Sequence, residues 1–154
     1  MSLDITIKLN KPILALQIEK YEYACSSASD AIDLYSCSSL IDRIHLNITH
    51  NMTEMAKHIN CVINTTYQDQ YYFNRYTLYE ILWTPNELDK EYMNTTMLES
   101  ALRSGIKNMI IDYDKLQQYN PTNNWGSYHS FLHWLIEYWE ICKEFPDCEI
   151  SIWS

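Results

Sequence analysis

Glycine is almost missing from this chain. Only Gly105 and Gly126 occur in 154 residues, and neither has a second glycine nearby. Loops that cradle phosphate need several glycines for close backbone approach, so the dinucleotide and Walker-type fingerprints are both excluded. Positive charge is also scarce: 11 Lys and Arg face 20 Asp and Glu, for a formal charge of −9. No basic run occurs, and direct nucleic-acid binding is not expected, because phosphates demand clustered Lys and Arg. No stretch approaches the ~20 apolar residues of a membrane span, so no membrane partner is expected. The first ten residues alternate apolar and polar instead of following the basic-then-apolar layout of a secretion signal, and a cytoplasmic location is expected. The five cysteines, Cys25, Cys37, Cys61, Cys142 and Cys148, are odd in number and never spaced C-x-x-C. A zinc ribbon and a thioredoxin-type motif are thereby ruled out, and the thiols read as reduced and mostly buried.

Apolar residues are plentiful, at 47%. A chain of this length buries roughly two-thirds of its unfolded surface, enough for one ordinary domain over 1–154. Period-two alternation at 3–9, 41–48 and 149–153 reads as strands, and the apolar run from 13 to 23 reads as another. Three segments carry helical stripes. Met52, Met55, Ala56 and Ile59 mark a helix near 52–62. Leu98, Leu102, Ile106, Met109, Ile110, Tyr113 and Leu116 mark one near 95–117. Tyr128, Phe131, Leu132, Leu135, Tyr138, Trp139 and Cys142 mark one near 127–144. Thr84-Pro85-Asn86-Glu87 and Thr96-Met97-Leu98-Glu99 read as helix starts with capping boxes. Gly105 within a helix costs about 1 kcal/mol relative to Ala, which points to close approach of a neighbour. The expected fold is α+β: a mostly antiparallel sheet with about three helices on one face. Residues 64–77 are polar and aromatic without periodicity and read as an inserted loop or irregular helix. Its tyrosines, Tyr67, Tyr71, Tyr72 and Tyr76, suit a homo-oligomer contact as well as a ligand contact.

Two polar junctions stand out as a ligand site. Asn47-Ile48-Thr49-His50-Asn51 leads from a strand into a helix, and Asn123-Asn124-Trp125-Gly126-Ser127-Tyr128 leads from a loop into one. Helix starts expose amide donors and positive dipole charge. Asn47, Thr49, His50, Asn51 and Asn124 add hydrogen bonds, Trp125 and Tyr128 add stacking faces, and Arg43 is the nearest cation. The same residues also serve as ordinary caps. His129, His133 and Glu137 have metal-compatible spacing on one helix face. A solvated face is the simpler account, and no metal or other cofactor is expected. His50 is the best general base, with Cys61 eleven residues away, but nothing in the sequence marks that thiol as activated.

Three segments carry a resemblance. They are Leu46-Asn47-Ile48-Thr49-His50-Asn51-Met52, Leu78-Tyr79-Glu80-Ile81-Leu82-Trp83-Thr84-Pro85-Asn86-Glu87-Leu88, and Asn124-Trp125-Gly126-Ser127-Tyr128. The last is followed by Tyr138, Cys142 and Pro146-Asp147-Cys148-Glu149-Ile150. Over roughly residues 40–154 the chain resembles a family of small bacterial and phage proteins with an NITHN junction, an N-G-W-G-T-Y helix start and a C-terminal P-D-A-E-[IV] strand. It departs from that pattern at Asn124, Ser127 and Cys148 and in the 64–77 insertion. The resemblance implies the architecture and a site at the two junctions, and it supplies no reaction. The expected function is therefore non-catalytic binding of a small polar or nucleotide-like ligand, as in a sequestering protein of phage counter-defence. An acidic interaction or inhibitor module that engages a basic partner is the first alternative, and a small hydrolase using His50 is the second.

Overall fold

The computed structural model describes residues 2–10, 43–67, 70–85, 88 and 94–153. The strand expected at 13–23, Cys25, Cys37 and the Asn86-Glu87 pair lie outside the described residues. The fold is α+β. A three-stranded antiparallel sheet has the order β2-β1-β5, with β1 Ser2–Lys8 between β2 Arg43–Thr49 and β5 Glu149–Trp153. Leu3, Ile5 and Ile7 of the central strand are fully buried, and their alternates Asp4 and Lys8 are exposed. That alternation fixes the register, because a one-residue slip would turn the whole apolar set outward. Ile5 stands opposite Leu46 on one side and Ile152 on the other.

After β2 comes a single 3-10 turn, His50–Met52, and then a short helix, α1 Thr53–Lys57. Met52, Met55, Ala56 and Ile59 are all buried, as the stripe predicts. The helix itself is shorter than the expected 52–62. The chain leaves it at His58 and enters β3 Asn60–Tyr67, which pairs with β4 Gln70–Thr77 in a two-stranded antiparallel hairpin. The 64–77 segment is thus mostly strand, in place of the loop or irregular helix expected from its sequence. Thr65, Thr66, Tyr67, Tyr71, Tyr72 and Phe73 are residue types that favour extended backbone.

Leu78–Trp83 forms α2. The Thr77 hydroxyl accepts from Glu80 N–H at 3.2 Å, and the Glu80 carboxylate accepts from Thr77 N–H at 2.7 Å, a complete capping box. Thr84 closes this helix, its hydroxyl donating to Glu80 O at 3.3 Å, and just beyond it Leu88 N–H donates to Pro85 O at 3.0 Å.

The two long helices are α3 Thr95–Ile111 and α5 Tyr128–Glu144, with a four-residue α4, Tyr113–Leu116, between them. The cap of α3 is Asn94, whose side chain accepts from Thr96 N–H at 2.8 Å; the capping box expected at Thr96 and Glu99 is not formed. Glu99 is used elsewhere, as described below. Leu98, Leu102, Met109 and Leu116 are buried, but Ile110 and Tyr113 of the expected stripe are exposed. Gly105 lies against the hairpin and α2: a Cβ there would sit 2.9 Å from Leu78 Cδ2 and 3.0 Å from Cys61 Sγ. Close approach of α3 to its neighbours is what this glycine permits. Ser127 caps α5 by accepting from Ser130 N–H at 3.1 Å. Among the described residues no helix is long and apolar enough to cross a membrane.

Candidate functional site

The two polar junctions meet. Thr49 caps the 3-10 turn, its hydroxyl accepting from Asn51 N–H at 3.3 Å. Opposite it, the 123–127 loop turns tightly: Asn123 Oδ1 accepts from Trp125 N–H at 3.0 Å, Asn124 has φ 60° and Gly126 φ 98°. The positive φ at 126 and the missing side chain let this loop press on the first junction. A Cβ there would lie 2.6 Å from Met52 Sδ and 3.2 Å from Thr49 Cγ2.

What forms at this contact is a joint in which several of the polar groups are already paired. Asn47 donates its side-chain amide to the Asp4 carboxylate. Asn47 and Arg43 both occupy exposed positions of β2, alternate to buried Leu46 and Ile48, and so lie on the sheet face away from the core. His50 Nε2 is 3.1 Å from Ser2 O; a carbonyl only accepts, so this nitrogen carries the proton. Tyr128 is a core residue at 2% exposure, with its hydroxyl donating to Met109 O at 2.8 Å. Its backbone N–H donates to Asn120 Oδ1 at 2.6 Å. Asn51, Asn124 and Trp125 stand at the rim, and Trp125 is 71% exposed. The eight residues expected to form one ligand set are thus divided among the outer sheet face, the core of the joint and its rim.

A different place is a concavity of ligand size. Between the first half of α3 and the last turns of α5 lies an open cleft of ≈ 440 Å³, lined by Thr96, Glu99, Arg103, Trp139, Cys142, Lys143 and Pro146. Small-ligand sites typically measure ~300–1,000 Å³. Its polar wall comes from two i,i+4 pairs, Glu99 with Arg103 on α3 and Trp139 with Lys143 on α5. Trp139 Nε1 donates to Glu99 Oε1 at 2.7 Å, which fixes the indole across the helix interface. Arg103 Nε lies 3.7 Å from the same carboxylate oxygen, and Lys143 Nζ sits 4.9 Å from the indole centroid. An ammonium at that distance is within cation–π range.

The far end of the cleft is held by hydrogen bonds between α3 and the 145–148 turn. Thr95, fully buried, donates its hydroxyl to Phe145 O at 2.6 Å and accepts from Cys148 N–H at 2.9 Å. Next to it, the Thr96 hydroxyl donates to Asp147 Oδ1 at 2.8 Å and accepts from Asp147 N–H at 2.9 Å. These contacts set Pro146 as one wall.

The same site is poorly equipped for covalent chemistry. Burial, then the nearby Glu99 and Cys148, push the Cys142 thiol up to about 12. Burial raises Cys61 as well, followed by the Glu80 charge. A cysteine nucleophile needs the opposite, a thiol shifted toward neutrality by a cation or helix dipole. His129, His133 and Glu137 lie on the exposed side of α5. Among the described residues no three His, Cys, Asp or Glu side chains gather closely enough to hold a metal ion.

In sequence, Glu99 reads as a capping residue, Trp139 and Cys142 as core, and Lys143 carries no signal. The two i,i+4 pairs beside apolar stripes are the legible hint. That they face each other follows only from the packing of α3 on α5. Comparison of the chain with family models, curated proteins and solved structures finds no match.

Proposed function

We propose that this chain is a non-catalytic binding protein for a small molecule, held in the α3–α5 cleft and not between the two polar junctions. The observation that carries this reading is the pairing of Arg103 and Lys143 with an immobilised indole in a cleft of ≈ 440 Å³. The surrounding field supports it by contrast. A protein of charge −9 repels anions in general, so two cations beside an aromatic face make a local exception. The buried, protonated thiols favour binding over turnover. His50 spends its Nε2 on a backbone carbonyl, which leaves the hydrolase reading without support. The resemblance to small bacterial and phage proteins, a cytoplasmic location and a sequestering role belong to the same proposal. Sequestration requires binding without turnover, which is what this cleft offers.

A thermal-shift screen tests it, using nucleotides, nucleosides and aromatic carboxylates. A true ligand at 100 times its dissociation constant stabilises the fold by about 2.7 kcal/mol. Arg103→Gln should roughly halve the shift while leaving the melting temperature of the unliganded protein unchanged. A screen in which nothing shifts the protein, or in which Arg103→Gln responds like wild type, sinks the proposal.

One observation favours a second reading. Glu137, Glu140 and Glu144 share the exposed side of α5 and form an acidic stripe over two turns. Such a stripe suits a basic protein partner, whose capture would weaken steeply with added salt.

A further inference from the structure

Resting on the cleft as the binding site, we infer that its ligand is a flat molecule bearing a single negative charge. The inference follows from counting what the lining has left to offer. Trp139 has one donor, and Glu99 takes it, so the indole presents only ring surface. Cys142 and Pro146 add apolar surface beside that ring. The Thr96 hydroxyl both donates to and accepts from Asp147. A sugar or other many-hydroxyl ligand would find few partners on such a wall. A flat ring finds a stacking surface.

The donors that remain belong to the two cations. Arg103 has five N–H groups, and only its Nε faces Glu99, at a loose 3.7 Å. Its side chain is 67% exposed, against 23% for Glu99, so the guanidinium fork lies open at the cleft mouth. Lys143 rests its ammonium over the indole without a carboxylate in contact among the described residues. A ring that stacks on Trp139 displaces the Lys143 ammonium from over the indole, and an anionic group at the edge of that ring would then bridge Arg103 and the displaced ammonium.

Charge sets the upper limit. Arg103 and Lys143 against Glu99 leave the lining one positive charge in excess. A singly charged group neutralises that excess. A second or third negative charge would meet Glu99 in the cleft, Asp147 bonded to its Thr96 wall, and Glu140 and Glu144 on the same helix as Lys143. Nucleoside triphosphates are therefore the wrong class despite their flat base. A carboxylate on an aromatic ring and an internal phosphodiester of a cyclic nucleotide share the required chemistry.

Titration calorimetry at low salt with four probes decides: cyclic adenosine monophosphate, an indole carboxylate, adenosine and adenosine triphosphate. At least one monoanion should bind ten or more times tighter than both adenosine and the triphosphate, and which monoanion does so identifies the source of the charge. Arg103→Gln and Lys143→Gln should each weaken that monoanion about tenfold. Glu99→Gln keeps an oxygen acceptor for Trp139 but releases Arg103, and should tighten monoanion binding several-fold. Triphosphate or neutral adenosine binding best, with sensitivity to Arg103→Gln retained, overturns the inference but leaves the cleft as the site. Absence of saturable binding by every probe, or binding indifferent to all three substitutions, overturns the cleft and the inference together.

Discussion

Gly126→Ala is expected to lower folding stability by about 3 kcal/mol, from backbone strain together with overpacking. At φ 98° an L-residue is strained wherever its side chain goes. The side chain also has nowhere to go. Its Cβ would lie 2.6 Å from the sulfur of fully buried Met52 and 3.2 Å from the Thr49 methyl. Met52 is packed in the core beneath the sheet and cannot swing into solvent. Urea unfolding checks this: the midpoint should fall with the slope unchanged, since the amount of surface exposed on unfolding stays the same. A loss under about 1 kcal/mol would mean that the two junctions are not pressed together as described.

Thr95→Val should be nearly as severe, at roughly 3 kcal/mol, although it preserves the shape of the side chain. The hydroxyl serves two backbone groups at once, Phe145 O at 2.6 Å and Cys148 N–H at 2.9 Å. Valine takes the hydroxyl from both, from the Cys148 N–H in a buried place and from the Phe145 carbonyl in a part-buried one, and an orphaned buried group costs about 1–3 kcal/mol. Thr95→Ser keeps the hydroxyl and should recover most of the loss. The same substitution bears on the proposed site, because the 145–148 turn supplies the Pro146 wall of the cleft. Thr95→Val should therefore weaken ligand binding even under conditions where the protein remains folded.

Those two sites show what was legible in the sequence. Period-two alternation located β1 and β5 to within a residue, and the apolar stripe located α5, because in each case one face is buried and the other is not. Gly105 announced a close approach, and Cys61 and Leu78 prove to be what approaches. The hairpin was hidden because residues 60–77 lack alternation, and their β-branched and aromatic composition was the better signal. Glu99 misled for a physical reason. A Glu three residues after a Thr fits a capping box, yet this carboxylate is taken by an indole N–H from another helix, and Asn94 takes the cap.

The candidate site was half legible. The meeting of the two junctions could be anticipated from their chemistry, and Gly126 brings it about. Their polar side chains were chosen as ligand groups because nothing in the sequence gave them a task. The structure gives several of them one: Asn47 with Asp4, Thr49 with Asn51, His50 with Ser2, Tyr128 with Met109. The two i,i+4 pairs were legible one helix at a time, but their meeting in a cleft was not, because the helices are far apart in sequence and single-helix periodicity carries no information about which exposed edges will face each other.

The central claim is that a small ligand occupies the α3–α5 cleft, and an amide NMR titration tests it most directly, using the probe that shifts the melting temperature furthest. The account predicts saturable shifts concentrated at Thr96, Glu99, Arg103, Cys142 and Lys143, with the Trp139 indole N–H among the largest because its bond to Glu99 lies in the wall. Shifts concentrated instead at Thr49, Asn51, Asn124 and Trp125, with the Trp139 indole unmoved, would contradict it and return the ligand to the joint between the two junctions.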